Sequence, residues 1–268
     1  MLNCLLIAIS ILTWNTARMG GFEKPESNAV IQYLLSQDAD VICLQEVDVY
    51  KDAKYLTLKE VKATLGKKYP YSYIDFSVYN SRHQFGTMVW AKYPLINKQS
   101  IHYETRGNLS NRCDMVVGKD TIRLINNHLE SYNFTKEDLS EAEELRNYQG
   151  LKETFRRLKA KWERALPLRN KQAQVIREEI EKSPYPVIVV GDFNAPAISY
   201  AYRHISEGLH DAWNETHYLW EWGSTCEKRG LGLRIDYILC SDPLQPTACD
   251  IPQASGSDHK PVTATIKW

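Results

Sequence analysis

Residues 187–194 read Val-Ile-Val-Val-Gly-Asp-Phe-Asn. Four β-branched residues in a row make a buried strand. Gly191 ends the run, and the polar residues Asp192 and Asn194 come directly after it. A carboxylate at the end of a wholly apolar strand is costly unless it is paired or bound to a metal. The same arrangement recurs along the chain. Asn15 ends Ile7–Trp14, Glu46 follows Val41–Leu44 in Leu44-Gln45-Glu46-Val47, and His128 follows Thr121–Asn126. Asp236 lies in Ile235–Leu239, and Asp258-His259 precede Val262–Ile266. Carboxylates, amides and imidazoles gathered at one sheet edge suit a hard cation such as Mg²⁺.

The other strand-like runs are Tyr71–Phe76, Thr87–Ala91 and Met115–Val117. Helical patterns lie between the strands. One opens at Pro25-Glu26 and sets Val30, Ile31, Leu34 and Leu35 on one face, and Leu58–Leu65 is a second. Glu137–Leu166 is a long charged stretch, and Asn170–Glu181 reads as a separate helix stopped by Ser183-Pro184. Strands following both strands and helices imply mixed or antiparallel sheets with helices outside. The pattern leaves one sheet or two open. No repeat or linker divides the chain, so we read residues 1–268 as one α/β domain with a charged helical insertion at about 132–169.

Composition excludes several classes. With 43% hydrophobic and 25% charged residues, the chain is not disordered, collagenous or coiled-coil. The 33 basic residues balance 33 acidic ones, which argues against a protein that coats nucleic acid non-specifically. No two cysteines form a CxxC pair, so they read as isolated thiols rather than a zinc knuckle. The apolar stretch Cys4–Leu12 reads as a buried first strand, giving a cytoplasmic protein. The other reading is the end of a membrane anchor, giving an attached or exported one. No Gly-x-Ser-x-Gly supports a serine hydrolase.

Gln45-Glu46, Gly191-Asp192-Phe193-Asn194 and Ser257-Asp258-His259, in this order, resemble the endonuclease/exonuclease/phosphatase superfamily. The segments Phe85-Gly86 and Lys92-Tyr93-Pro94-Leu95 look like a strand pair of that family. The resemblance spans the chain from Trp14-Asn15 to His259 and implies a four-layer αββα sandwich, two packed mixed sheets with helices outside. It implies a metal-dependent phosphoesterase using Mg²⁺ or Mn²⁺. Glu46 would be the principal metal ligand, with Asn15 supporting the metal and touching phosphate, and Asp258 completing the metal or phosphate shell. Asp192 would orient or deprotonate the attacking water. Asn194 would hold Asp192 or the phosphate. His259 would donate to the phosphate, oriented by Asp236, and His128 would face the transition state. Ala17 stands where repair members carry an acid in Trp-Asn-x-Asp, which leaves a second metal site without that ligand.

Within the resemblance, the substrate is a nucleic-acid phosphodiester or a small or lipid-headgroup phosphate. An inactive binding module is the third reading. A monomer without an obligate protein partner is expected. Residues 146–171 hold nine Lys/Arg and two acids, with Leu151, Phe155, Leu158, Trp162 and Leu166 at helical spacing. This basic amphipathic helix is either packed scaffold or a guide for polyanions. If it is a guide, reversing Arg156, Arg157 and Lys159 to Glu slows hydrolysis of a polyanionic substrate and spares a small chromogenic diester. The gap between the two substrates shrinks as salt rises. Equal effects on both substrates would make the helix scaffold.

Overall fold

The computed structural model describes residues 7–105, 107–132, 148–228 and 231–268. Among these, twelve strands form two six-stranded sheets, and β10 (Cys226–Lys228) and β11 (Leu231–Leu233) pair as a separate ribbon. The first sheet has the order β13 (Gln245–Asp250), β14 (Val262–Lys267), β1 (Ala8–Asn15), β2 (Val41–Tyr50), β4 (His83–Ala91), β3 (Tyr71–Tyr79). The second has the order β5 (Leu95–His102), β6 (Leu109–Val117), β7 (Asp120–His128), β8 (Val187–Asp192), β12 (Asp236–Cys240), β9 (His210–Asp211). Both are mixed: β1 runs parallel to β2 and β7 to β8, and the other pairs are antiparallel.

Alternation along the strands sets the layers, because successive side chains point to opposite faces. Ile9, Ile11, Val41, Cys43, Ile188, Val190 and Ile238 fill the core between the sheets. Their neighbours Leu12, Trp14, Ile42 and Leu44 face outward under α1 (Ala29–Ser36) and α2 (Leu58–Leu65), whose Val30, Ile31, Leu34, Val61 and Leu65 cover them. On the other side Val187, Val189, Tyr237 and Leu239 lie under Ala173, Ile176 and Ile180 of α3 (Tyr148–Glu181) and under α4 (Tyr200–Ser206). The result is the αββα sandwich.

The same alternation aims the polar residues. Asn15 has the parity of Ile9 and Ile11, His128 that of Leu124, Asp192 that of Val190, and Asp236 that of Ile238. All four therefore point between the sheets at one edge. Glu46 has the wrong parity and reaches the edge by another route. One extra residue is inserted in β2 opposite β4 between Leu44 and Val47, and Glu46 takes φ +49°. Such a bulge re-aims a side chain.

Several expectations need correction. Helix α1 begins at Ala29 rather than at Pro25-Glu26, because the Asn28 side chain caps it by accepting from Ile31 N at 3.0 Å. The two helices read at Glu137–Leu166 and Asn170–Glu181 are one helix from Tyr148, continuous through Pro167. Proline costs a helix about 3 kcal/mol. Here burial of Ala165 before it and Arg169, Ala173 and Ile176 after it carries the helix across. The acidic residues 137–144 lie outside the described residues. Phe85-Gly86 and Leu95 are not paired: β4 belongs to one sheet and β5 to the other, and Tyr93-Pro94 cross between them. Strands β5 and β13 had no clear apolar run and escaped the sequence reading. Cys43, Cys113, Cys226, Cys240 and Cys249 are free thiols, as expected, and Cys4 lies outside the described residues.

Gly191 is required at its position. A Cβ there would stand 2.1 Å from the Asn127 carbonyl oxygen, at φ +118°. Gly118, at φ +62°, has open space around it. Urea denaturation should therefore separate the two alanine variants. Gly118→Ala loses about 1–2 kcal/mol to left-handed strain. Gly191→Ala loses a further amount of about 1–3 kcal/mol or more from overpacking against the main chain.

Candidate active site

Strand register brings the first three residues together. In the second sheet His128 pairs with Asp192 and Asp192 pairs with Asp236, so the three form one row across β7, β8 and β12. Asn15, at the end of β1, faces this row from the first sheet. Its amide nitrogen donates to Asp192 Oδ2 at 2.9 Å and to Glu46 Oε1 at 3.2 Å. Its carbonyl oxygen accepts from Ala17 N at 3.1 Å. Asn15 is thus a bracket between two carboxylates, with its oxygen already engaged.

Asp192 is buried and holds several donors. Besides Asn15, it accepts from the Asn194 backbone at 2.7 Å and from Asn194 Nδ2 at 3.1 Å. Asn194, at φ +50°, also donates to the Leu129 carbonyl at 3.0 Å. It therefore ties the end of β8 to the end of β7.

His259 sits in the loop before β14. Its Nδ1 lies 2.9 Å from Asp236 Oδ2, and its Nε2 is 3.9 Å from Asp192 Oδ2. The expected Asp236–His259 contact is present. Burial works against charge on this ring, but Asp236 and then Asp192 outweigh it and raise its pKa well above the ordinary imidazole range. His128 Nε2 is 3.4 Å from Glu46 Oε1, an ion-pair distance, though neither buried ring nitrogen makes a well-aligned hydrogen bond. Burial opposes its charge too, and Glu46 reverses the balance, raising its pKa. Burial would likewise lift the Glu46 carboxyl. His128, Asn15 and His259 together hold it down at about 2.

Asp258 stands apart from this arrangement. It is exposed, and its carboxylate groups with Cys226 and His259. At Ala17 there is no acid. Ala17, Arg18 and Met19 instead make a left-handed turn, with φ of 42°, 65° and 58°. The turn points the Arg18 guanidinium over the Phe85 ring, 5.7 Å from its centre.

Sequence reasoning missed the residues that hold these groups in place. Thr225 Oγ1 accepts from the backbone of Ile235 and Asp236 at 3.0 and 3.2 Å. Ser257 Oγ donates to the Asn15 carbonyl at 2.7 Å and accepts from His259 N at 3.0 Å. Trp14 Nε1 donates to the His259 carbonyl at 2.8 Å. Trp14 and Ser257 stood inside the motifs and could have been found there. Nothing in the sequence marked Thr225.

Glu46 and Asp192 offer hard oxygen donors, and Asp236 keeps one buried oxygen without a partner. Asp192, Asp236 and His259 also place ligand atoms within 4.8 Å of one another. The donor set fits a Mg²⁺ or Mn²⁺ ion.

The model of the Endonuclease/Exonuclease/phosphatase family matches residues 12–259. The chain belongs to this family. Its members are in general hydrolytic phosphoesterases that depend on a divalent metal. No curated protein sequence matches the chain. Among solved structures, an endonuclease/exonuclease/phosphatase from Beutenbergia cavernae DSM 12333 superposes with TM-score 0.69 at 14% identity, over 97% of this chain and 71% of that one. A humanized D. rerio TDP2 gives 0.65 at 16%, over 97% and 98%. The human Nocturnin catalytic domain with bound sulfate gives 0.63 at 16%, over 97% and 96%. At these identities the likeness is one of fold.

The bracket at Asn15 has a measurable consequence. Asn15→Asp puts a third carboxylate against Glu46 and Asp192. Its folded-state pKa is raised above the unfolded value of about 3.9, so the deficit grows as pH rises above that value. The variant should lose about 2 kcal/mol or more at pH 8 and much less at pH 4. Millimolar Mg²⁺ should recover part of the loss. A deficit independent of pH would mean Asn15 serves packing alone.

Proposed function

We propose that this chain is a divalent-cation-dependent phosphodiesterase. The observation that carries the reading is the row His128–Asp192–Asp236, joined to Glu46 through the Asn15 amide and to His259 through Asp236. Glu46 and Asp192 would hold the cation, which when bound polarises the phosphoryl oxygen. Asp192, fixed by Asn15 and Asn194, orients the attacking water and takes its proton. His259 carries a proton near neutral pH and donates to a phosphate oxygen, stabilising charge as it develops. Asp236 orients the ring. His128, whose Nε2 lies 3.4 Å from Glu46 Oε1, offers a second donor.

For the substrate, the first reading is nucleic acid. Arg156, Arg157 and Lys159 are exposed on α3, and Arg164 lies 3.8 Å from Glu130, two residues beyond His128. This gives a cationic arm rooted beside the site. A second reading, a lipid-headgroup phosphodiester, is favoured by one feature. Ile198, Tyr218, Leu219, Trp220 and Trp222 are all exposed, close in sequence to the Asp192–Asn194 loop and to Thr225. Trp and Tyr at a protein surface suit a membrane interface. Rates on nicked and 5′-tyrosyl DNA, measured beside rates on sphingomyelin vesicles, choose between the two.

Activity on bis(p-nitrophenyl) phosphate should vanish in excess chelator and return with Mg²⁺ or Mn²⁺. Asp192→Asn and His259→Gln should each lower kcat by about 100-fold or more with little change in KM. Full turnover in chelator, or a rise in KM alone, would overturn the assignment. Glu46→Gln should shift the cation concentration needed for half-maximal rate upward.

A further inference from the structure

Cys226 takes no part in the chemistry above, yet it stands against His259. The two residues face each other across an isolated antiparallel bridge, which sets their side chains on one side about 4.5–5.5 Å apart at Cβ. The bridge is fixed from both flanks, since Lys260 N donates to the Thr225 carbonyl at 2.7 Å and Thr225 Oγ1 caps the start of β12. Cys226 is buried, His259 is buried, and Asp258 beside them is exposed. Their sulfur, nitrogen and carboxylate oxygen all lie within 4.8 Å of one another.

The chemistry of this trio differs from that of the Glu46–Asp192 pair. Hard cations such as Mg²⁺ take oxygen ligands and leave thiols alone. A thiolate, an imidazole and a carboxylate together are the ligands of a borderline-soft ion, and three protein ligands leave a fourth tetrahedral position for water. Asp258, on the solvent side, gives such an ion a way in.

We propose that Cys226, Asp258 and His259 form a Zn²⁺ site distinct from the Mg²⁺ site, and that filling it inhibits hydrolysis by engaging the His259 ring. Binding releases the Cys226 thiol proton and the His259 imidazolium proton to solvent and forms the metal–sulfur and metal–nitrogen bonds; no electron changes hands. The inhibitory part rests on the phosphodiesterase reading, while the binding part does not. Asp258 thereby gains a metal role, but toward a different ion from the one its motif suggests.

The test uses the full chain with Cd²⁺ and Co²⁺ as spectroscopic stand-ins for Zn²⁺. Titration of the wild type should produce a thiolate-to-metal charge-transfer band that saturates at one equivalent. The band should be absent in Cys226→Ala. Asp258→Asn, a near-isosteric change at an exposed position, should weaken binding by about tenfold or more. In parallel, Zn²⁺ added to enzyme in excess Mg²⁺ should slow hydrolysis of bis(p-nitrophenyl) phosphate. The concentration for half inhibition, taken relative to each protein's own zinc-free rate, should rise by about tenfold or more in both variants. No band in the wild type, or one that persists in Cys226→Ala, overturns the site. A band with Zn²⁺ inhibition equal in all three proteins overturns the inhibitory role. If no protein hydrolyses the diester under any metal, the phosphodiesterase reading fails and the band alone decides the site.

Discussion

The site depends on one side-chain amide. Asn15 on the first sheet donates both its hydrogens to carboxylates, one to Glu46 on its own sheet and one to Asp192 on the other. Without it two acids would face each other across the sheet gap in a low-dielectric setting, where unpaired charge is most costly. The amide supplies a donor to each acid without adding charge. Gln45 and Asn126 repeat the device one layer deeper. Gln45 Nε2 bonds Asn126 Oδ1 at 2.7 Å, and Asn126 Nδ2 bonds the Leu44 carbonyl at 3.2 Å. Polar bonds between the sheets thus fix their relative slide just beneath the site. A shift there would be transmitted to the Asn15 bracket.

Three acids, Glu46, Asp192 and Asp236, meet two imidazoles, His128 and His259. Each histidine is buried, and burial alone would leave it neutral. The acids reverse this in both cases. The histidines in turn help keep the Glu46 carboxyl ionised. Glu46 and the two histidines hold one another in charged form, while burial pushes the Asp236 carboxyl up to about 6 against the pull of His259. Asp236 positions the His259 ring. Its own support comes from Thr225, whose hydroxyl accepts from the Asp236 amide, so the ring's orientation is set two bonds back in the main chain.

Much of this was legible in the sequence, because it obeys period two. Apolar runs announced the central strands, and the polar residues at their ends, Asn15, His128 and Asp192 after a run and Asp236 at the start of one, lie together at one edge. The motif resemblance turned one sheet or two into two. What stayed hidden follows from contacts that local pattern does not record. Glu46 was named from its motif, but by strict alternation it points away from the site. Only the bulge at Leu44–Val47 turns it inward, and a bulge has no apolar signature. Pro167 reads as a helix stop, and burial of Arg169 and Ile176 overrides it. Strand β13 is half exposed at the sheet edge, so it lacks the apolar run that marks the central strands. Thr225 is a single small hydroxyl in a loop and becomes a support only once folding brings it against β12.

The parts fixed by the sheets and the parts carried by loops have different consequences. The row His128–Asp192–Asp236 is set by strand register, so a one-residue slip would send all three side chains to the wrong face. On the proposed function, that makes the chemistry a property of the sandwich itself. The features that the proposed function would use to distinguish substrates lie outside the sheets: Arg18 on a left-handed turn, the cations of α3, and the aromatic residues between α5 (Ala212–Thr216) and Cys226. None of these is constrained by sheet pairing, and connecting segments tolerate change more readily than the elements they join. The same framework can therefore present one reactive centre to very different phosphodiesters. On the proposed function, substrate preference is to be sought at Arg18, on α3 and at Trp220 and Trp222, rather than in the row His128–Asp192–Asp236.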